Sequence, residues 1–142
     1  MAGLTLRKAR TIIRATLTKG REMELKPLSV VILDAGGAVL AFEREDGASP
    51  GRFEIARGKA HGAVMLGLPG SAQLKRAEEQ AFFMAAVNGA FGGKVIPVPG
   101  GVLLHDKKGA VIGAIGVTGD TSQNDVVAAL AGADAAGIAA SA

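Results

Sequence analysis

Residues 29–46 read SVVILDAGGAVLAFERED. Val30–Leu33 is apolar and largely β-branched, Asp34 closes it, and a second apolar run follows that finishes in charge. Short apolar runs bounded by glycine and charged residues read as strands. Ala35-Gly36-Gly37 supplies the positive-φ positions that a tight antiparallel connection needs. The stretch therefore predicts a β-hairpin, with strands over Leu28–Asp34 and Ala38–Glu45. In the return strand, period-two alternation puts Val39, Ala41 and Glu43 on one face and Leu40, Phe42 and Arg44 on the other.

Upstream, Leu6, Ala9, Ile13, Thr16 or Leu17, and Gly20 recur at helical spacing behind Thr5, an N-cap residue type, which predicts a helix over 5–23. Its wet side carries Arg7, Lys8, Arg10, Arg14 and Lys19, and Lys26-Pro27 separates it from the hairpin. Downstream, Ser49-Pro50 opens a helix over about 50–66 that buries Phe53, Ala56, Ala60, Ala63 and Val64. Leu68-Pro69-Gly70 ends it. Ser71 then caps a third helical region through Phe91, with Leu74, Ala77, Ala81, Phe82 and Ala85 as its core stripe.

PVPGG at 97–101 is a stiff connector into a second hairpin, Val102–His105 and Ala110–Thr118, turned by Asp106-Lys107-Lys108-Gly109. AVIGAIGVT is apolar on both faces, as a central strand covered by helices would be. Gly113 and Gly116 leave room there for another backbone or a flat ligand. Ser122-Gln-Asn-Asp125 resembles a capping box, so 122–140 reads as a terminal Ala-rich helix with Asp125 as a cap residue. Two hairpins joined edge to edge under helices form an α+β sheet protein, one domain over residues 1–142.

With 142 residues and 49% hydrophobic content, the chain can bury a real core. It contains no Cys, Trp or Tyr, which removes disulfides, Cys-based zinc sites and thiol nucleophiles. A net charge of +3 without aromatic platforms speaks against nucleic acid as a partner, and leaves room for a small anion. Neither a secretory core nor an 18-residue apolar run is visible, so the expectation is a cytoplasmic protein without a membrane partner.

The candidate axial ligands for haem are His61, His105, Met65 and Met84. His61 and Met65 stand at i and i+4, neighbours on one helix face. The plainer reading of that pair is a surface histidine beside a core methionine. No GxSxG elbow and no P-loop occur, so nucleophilic or nucleotide chemistry has no motif. VPGGV at 98–102 and GDTSQND at 119–125 are glycine-containing turns whose N–H groups suit a carboxylate or phosphate. Arg52, Arg57 and Lys59 add charge at the nearby helix start.

Taken in order, PLSVVILDAGG (27–37), LAFEREDGASPGRFEIARGKA (40–60), PVPGGVLL (97–104) and GAIGVTGDTSQND (113–125) resemble the small GlcG/HbpS proteins. That domain also forms the C-terminal part of PduO-type adenosyltransferases. The resemblance implies a profilin-like fold with a five-stranded antiparallel sheet flanked by helices, the fifth strand lying around Lys94–Val98. It further implies a homo-oligomer of two or more copies and, for several relatives, haem as the cofactor. The hairpin is then scaffold, and the expected site is a receptive hollow where the second helix begins. Its residues would be Arg52, Glu54, Lys59 and His61 from that helix, Gly100 and Gly101 from the connector, and Asp120 and Thr121 from the last turn. His61 is the candidate haem-iron ligand. The alternative is a small enzyme or accessory subunit acting on a hydroxy- or keto-acid.

Overall fold

The computed structural model describes residues 3–142. Helix α1 (Leu6–Glu22) starts where the Thr5 hydroxyl accepts from the Lys8 amide, and it buries Ala9, Ile12, Ile13, Thr16 and Gly20. Strands β1 (Ser29–Asp34) and β2 (Val39–Arg44) form the first hairpin, β3 (Gly101–His105) and β4 (Val111–Thr118) the second. Helix α2 (Arg52–Leu66) lies between the hairpins in sequence, followed by α3 (Gly70–Glu79) and α4 (Ala81–Ala90). After β4 come α5 (Ser122–Ala135) and the short strand β5 (Ala139–Ser141). The sheet order is β2-β1-β4-β3-β5, every pairing antiparallel. The hairpins do join edge to edge, through β1 and β4.

Both faces of the sheet are covered. Val30, Ile32, Val102, Leu104, Ile115 and Val117 point to α1 and α5, while Val31, Leu33, Leu103 and Ala114 point to α2. Each fully buried aliphatic side chain contributes about 1.5–3 kcal/mol, which is why Val30–Leu33 of β1 and Val111–Val117 of β4 carry no polar side chain. The Ala-rich face of α5 is used on its own chain, with Ala128, Ala129 and Ala133 fully buried in the α1-side core. Gly116 lets α2 lie close on the sheet, because a Cβ there would run into the Ala56 carbonyl. The room left by the β4 glycines holds neighbouring backbone, Ala56 against Gly116 and Leu33 against Gly113.

Four expectations are corrected. The fifth strand is Ala139–Ser141 on β3, not 94–98. In 94–98 the Ile96 amide donates to the Gly58 carbonyl and the Val95 amide to Asn88 Oδ1, and Pro97 has no amide to give. The terminal helix correspondingly stops at Ala135, and the chain turns at Gly137 (φ 68°) before pairing. The third helical region breaks at Gln80 (φ −141°, ψ 65°), so its stripe does not continue. Met84 and Val87 are buried instead, against Val95, and Phe82 is 77% exposed. In β2, the pairing shifts between Ile32↔Ala41 and Leu33↔Val39, a bulge at Leu40. Leu40 and Ala41 therefore both pack on the α1 side while Phe42 packs on the α2 side, which breaks strict alternation.

Candidate functional site

Helix α2 carries two polar environments, two residues apart. At its midpoint Lys59 is 3% exposed. Its Nζ donates to the Val117 carbonyl at 2.9 Å and to Asp125 Oδ2 at 3.2 Å. Lys59 belongs to the α2 layer and Asp125 to the α5 layer, so the pair joins the two layers around the end of β4. Asp125 Oδ1 accepts from the Asp120 amide, and Asp120 in turn accepts from the amides of Lys26 and Thr121 and from Asn124 Nδ2. Burial pulls the Lys59 ammonium below its usual range and pushes the Asp125 carboxyl above its own; their mutual attraction opposes both shifts. The three hydrogen bonds on half-buried Asp120 hold it down at about 2.

The same corner contains Gly100 and Gly101. Gly100 has φ +116°, and a Cβ on it would stand 2.7 Å from the Val117 carbonyl and 2.9 Å from Lys59 Nζ. A Cβ on Gly101 would strike the Lys59 carbonyl. Arg52 Nη1 donates to Thr118 Oγ1 at 3.0 Å, and Thr121 caps α5 by accepting from the Asn124 amide. Arg52, Lys59, Gly100, Gly101, Asp120 and Thr121 are thus one neighbourhood, but the expected hollow between them is filled by the Lys59 side chain. Asp125 is its hub rather than a cap, and Thr121 caps the helix in place of Ser122. No local pattern in the sequence marks that role, because its partner lies 66 positions away. Glu54 stands outside, 66% exposed and paired with Arg57 at 2.6 Å.

His61 is also outside the corner. It sits two residues further along α2, under the hairpin turn, close to Met65 and Gly37. A Cβ on Gly37 (φ +86°) would lie 2.8 Å from Met65 Cε and 3.3 Å from His61 Cδ2. The Phe91 ring meets the imidazole edge-on, centroids 6.2 Å apart. His61 Nδ1 is 3.1 Å from the Lys94 carbonyl. A carbonyl only accepts, so Nδ1 carries the proton and Nε2 keeps its lone pair. Partial burial lowers the imidazole pKa, helped by the charges of Lys94 and Arg57 and opposed by that hydrogen bond. The ring is therefore neutral at physiological pH.

The other ligand candidates do not join it. Met84 is buried in the α4 cluster. His105 spends both nitrogens, Nδ1 on the Gly109 carbonyl and Nε2 on Ser141 Oγ. Among the described residues no group of three His, Cys, Asp or Glu side chains comes together. Gly37 and the Lys94 carbonyl, which shape the surroundings of His61, were absent from the expected site. The DAGG motif did signal a fixed turn, but not what the turn covers.

The fold matches several solved structures. One is a PduOC–haem complex, with TM-score 0.86 and 23% identity over 96% of this chain and 97% of that one. A double mutant of HbpS from Streptomyces reticuli matches with TM-score 0.80 and 30% identity over 94% and 87%. Klebsiella pneumoniae ORFY matches with TM-score 0.83 and 25% identity over 94% and 90%. Comparison with curated proteins by sequence gives no match. A family model described as "Haem degrading protein HbpS-like" matches residues 4–134. The ordered motifs, the antiparallel five-stranded sheet and this match agree: the chain belongs to the HbpS-like family.

Proposed function

We propose that this chain is a cytoplasmic haem-binding protein that takes the iron on His61 Nε2. One observation carries the reading. The Nδ1–H of His61 is committed to the Lys94 carbonyl, which fixes the tautomer and leaves the Nε2 lone pair without a hydrogen-bond partner among the described residues. Metal-binding histidines are held by such an outer hydrogen bond, which also raises their basicity. The residues around it suit the group. Met65 and Phe91 offer polarizable and aromatic surface, and Lys94 and Arg57 put positive charge nearby for propionates. Haem would supply the redox-active iron; the chain holds a neutral imidazole, keeps it oriented, and offers cations at the rim. The haem complex of PduOC and the description of the HbpS-like family support this choice of ligand. No helix among the described residues is long and apolar enough to cross a membrane. A homo-oligomer fits the exposed, uncharged α4, whose Phe82 and Phe83 face outward.

Hemin titration tests the reading. The wild type should give a saturable shift of the Soret band, and His61→Ala should bind at least ten-fold more weakly with an altered spectrum. An unchanged spectrum in the variant would remove His61 from the iron.

The second reading, a small enzyme or accessory subunit for a hydroxy- or keto-acid, rests on Arg52. It is the cation of the filled corner that remains half-buried, and it is tied to Thr118 rather than to a carboxylate. Thermal stabilisation by a two- to six-carbon acid, lost in Arg52→Ala and not produced by hemin, would favour it.

A further inference from the structure

The exposed side of α1 breaks the electrostatic rules that helices ordinarily follow. Its first turn holds no acidic residue, yet Arg7, Lys8 and Arg10 stand at its N-terminal end, where the helix dipole is positive. Arg7/Arg10 and Arg10/Arg14 are like-charged pairs at i,i+3 and i,i+4, which repel. At 100° per residue, Arg7, Arg10, Arg14 and Arg21 lie on a single stripe of about 60°, beside Leu17. Neither Arg10 nor Arg14 makes an ion pair among the described residues; Arg21 shares Glu45 at 3.2 Å and donates to the Lys26 carbonyl. The stripe overhangs β2, the outer strand of the sheet, and a cavity of about 620 Å³ opens there. It is lined by Arg10, Arg14, Leu17, Thr18, Arg21 and Glu43. Packing does not require this arrangement, because the buried side of α1 is satisfied without any of these arginines. Local conflicts of this kind concentrate where a protein binds something.

We propose that the α1–β2 groove is a second binding site, for a small anion carrying two or more negative charges, held by the Arg10, Arg14 and Arg21 guanidiniums and the Thr18 hydroxyl. Such an anion removes the repulsion between the arginines, and guanidiniums are suited to phosphate or carboxylate oxygens by their planar forks. A small ligand fits better than a long polyanion, because Glu43 lines the groove itself and the adjoining β2 end places Glu45, paired with Arg21, and Asp46 beside Arg44, so the positive surface does not continue past it. The site is separate from the His61 surface: α1 packs on one face of the sheet and α2 on the other.

Calorimetric titration with tripolyphosphate, and in parallel with citrate, tests this on the full chain. The wild type should bind one equivalent of at least one of them, more weakly as salt is raised, and acetate should not bind. Arg10→Gln/Arg14→Gln should lower that affinity at least ten-fold and leave hemin titration unchanged. Without ligand, the double variant should melt no lower than the wild type, because the repulsion is gone. The tighter of the two anions identifies the headgroup as phosphate or carboxylate. Equal affinity in the double variant, no binding to either anion at millimolar concentration, or tighter binding of a single-stranded oligonucleotide than of both anions would overturn the proposal.

Discussion

Lys59 and His61 stand two residues apart on one helix and meet opposite fates. Lys59 is drawn under the end of the sheet, where a carbonyl and a carboxylate consume its charge. His61 stays at the rim, gives away one nitrogen and retains the other. Two positions along a helix rotate a side chain by about 200°, so adjacent motif residues serve different layers. The lesson concerns how a motif should be read. GKAH is contiguous in sequence, but its lysine belongs to the architecture while its histidine remains free for chemistry.

The sharpest way to break this comparison is to remove the buried cation. Lys59→Met leaves Asp125 uncompensated in the interior, and unfolding in urea should show a loss of about 3–5 kcal/mol. Lys59→Met/Asp125→Leu should recover most of it. A single variant as stable as the wild type would mean the corner is not held by this pair. Next comes the turn over His61. Gly37→Ala places a Cβ against Met65 at a positive φ, and the cost should be about 1–3 kcal/mol in the same assay.

His61→Ala should change stability by no more than about 1 kcal/mol, since the ring is only partly buried. Its large effect should fall on hemin affinity. The wild-type binding should also persist as pH drops through 6.5, because burial lowers the imidazole pKa and keeps Nε2 unprotonated below the usual range. A midpoint above 6.5 would contradict that environment. The smallest effect is expected at Asp120. Its folded pKa is depressed from 3.8 to about 2, so its contribution is complete above 3.8 and disappears as pH falls through about 2. Asp120→Asn should flatten that part of the acid unfolding curve; an identical curve would remove Asp120 from the network.

Much of the fold was legible locally. The two hairpins were marked by period, glycine and charge, and α1 by its stripe and its Thr5 cap. The misplaced fifth strand has a clear cause: competition for backbone hydrogen bonds by groups distant in sequence. Residues 94–98 look extended, but α2 and Asn88 take their amides, and β3 pairs instead with the last residues of the chain. The Ala81–Ala85 stripe continues the helical period, yet the break at Gln80 turns it away from the core. The candidate site was legible in residue type but not in grouping. The glycine turns and the first half of α2, from Arg52 to Lys59, do converge, and the side chain expected to line a hollow closes it.

From the sequence alone came the two hairpins, α1, α2 and the start of α5 under a helical coat, because period-two and 3.6-residue patterns depend only on neighbours in the chain. Only tertiary structure decided which polar groups were spent. Whether a lysine or a histidine remains available depends on the carbonyls and carboxylates that other segments bring to it, and those contacts span dozens of residues.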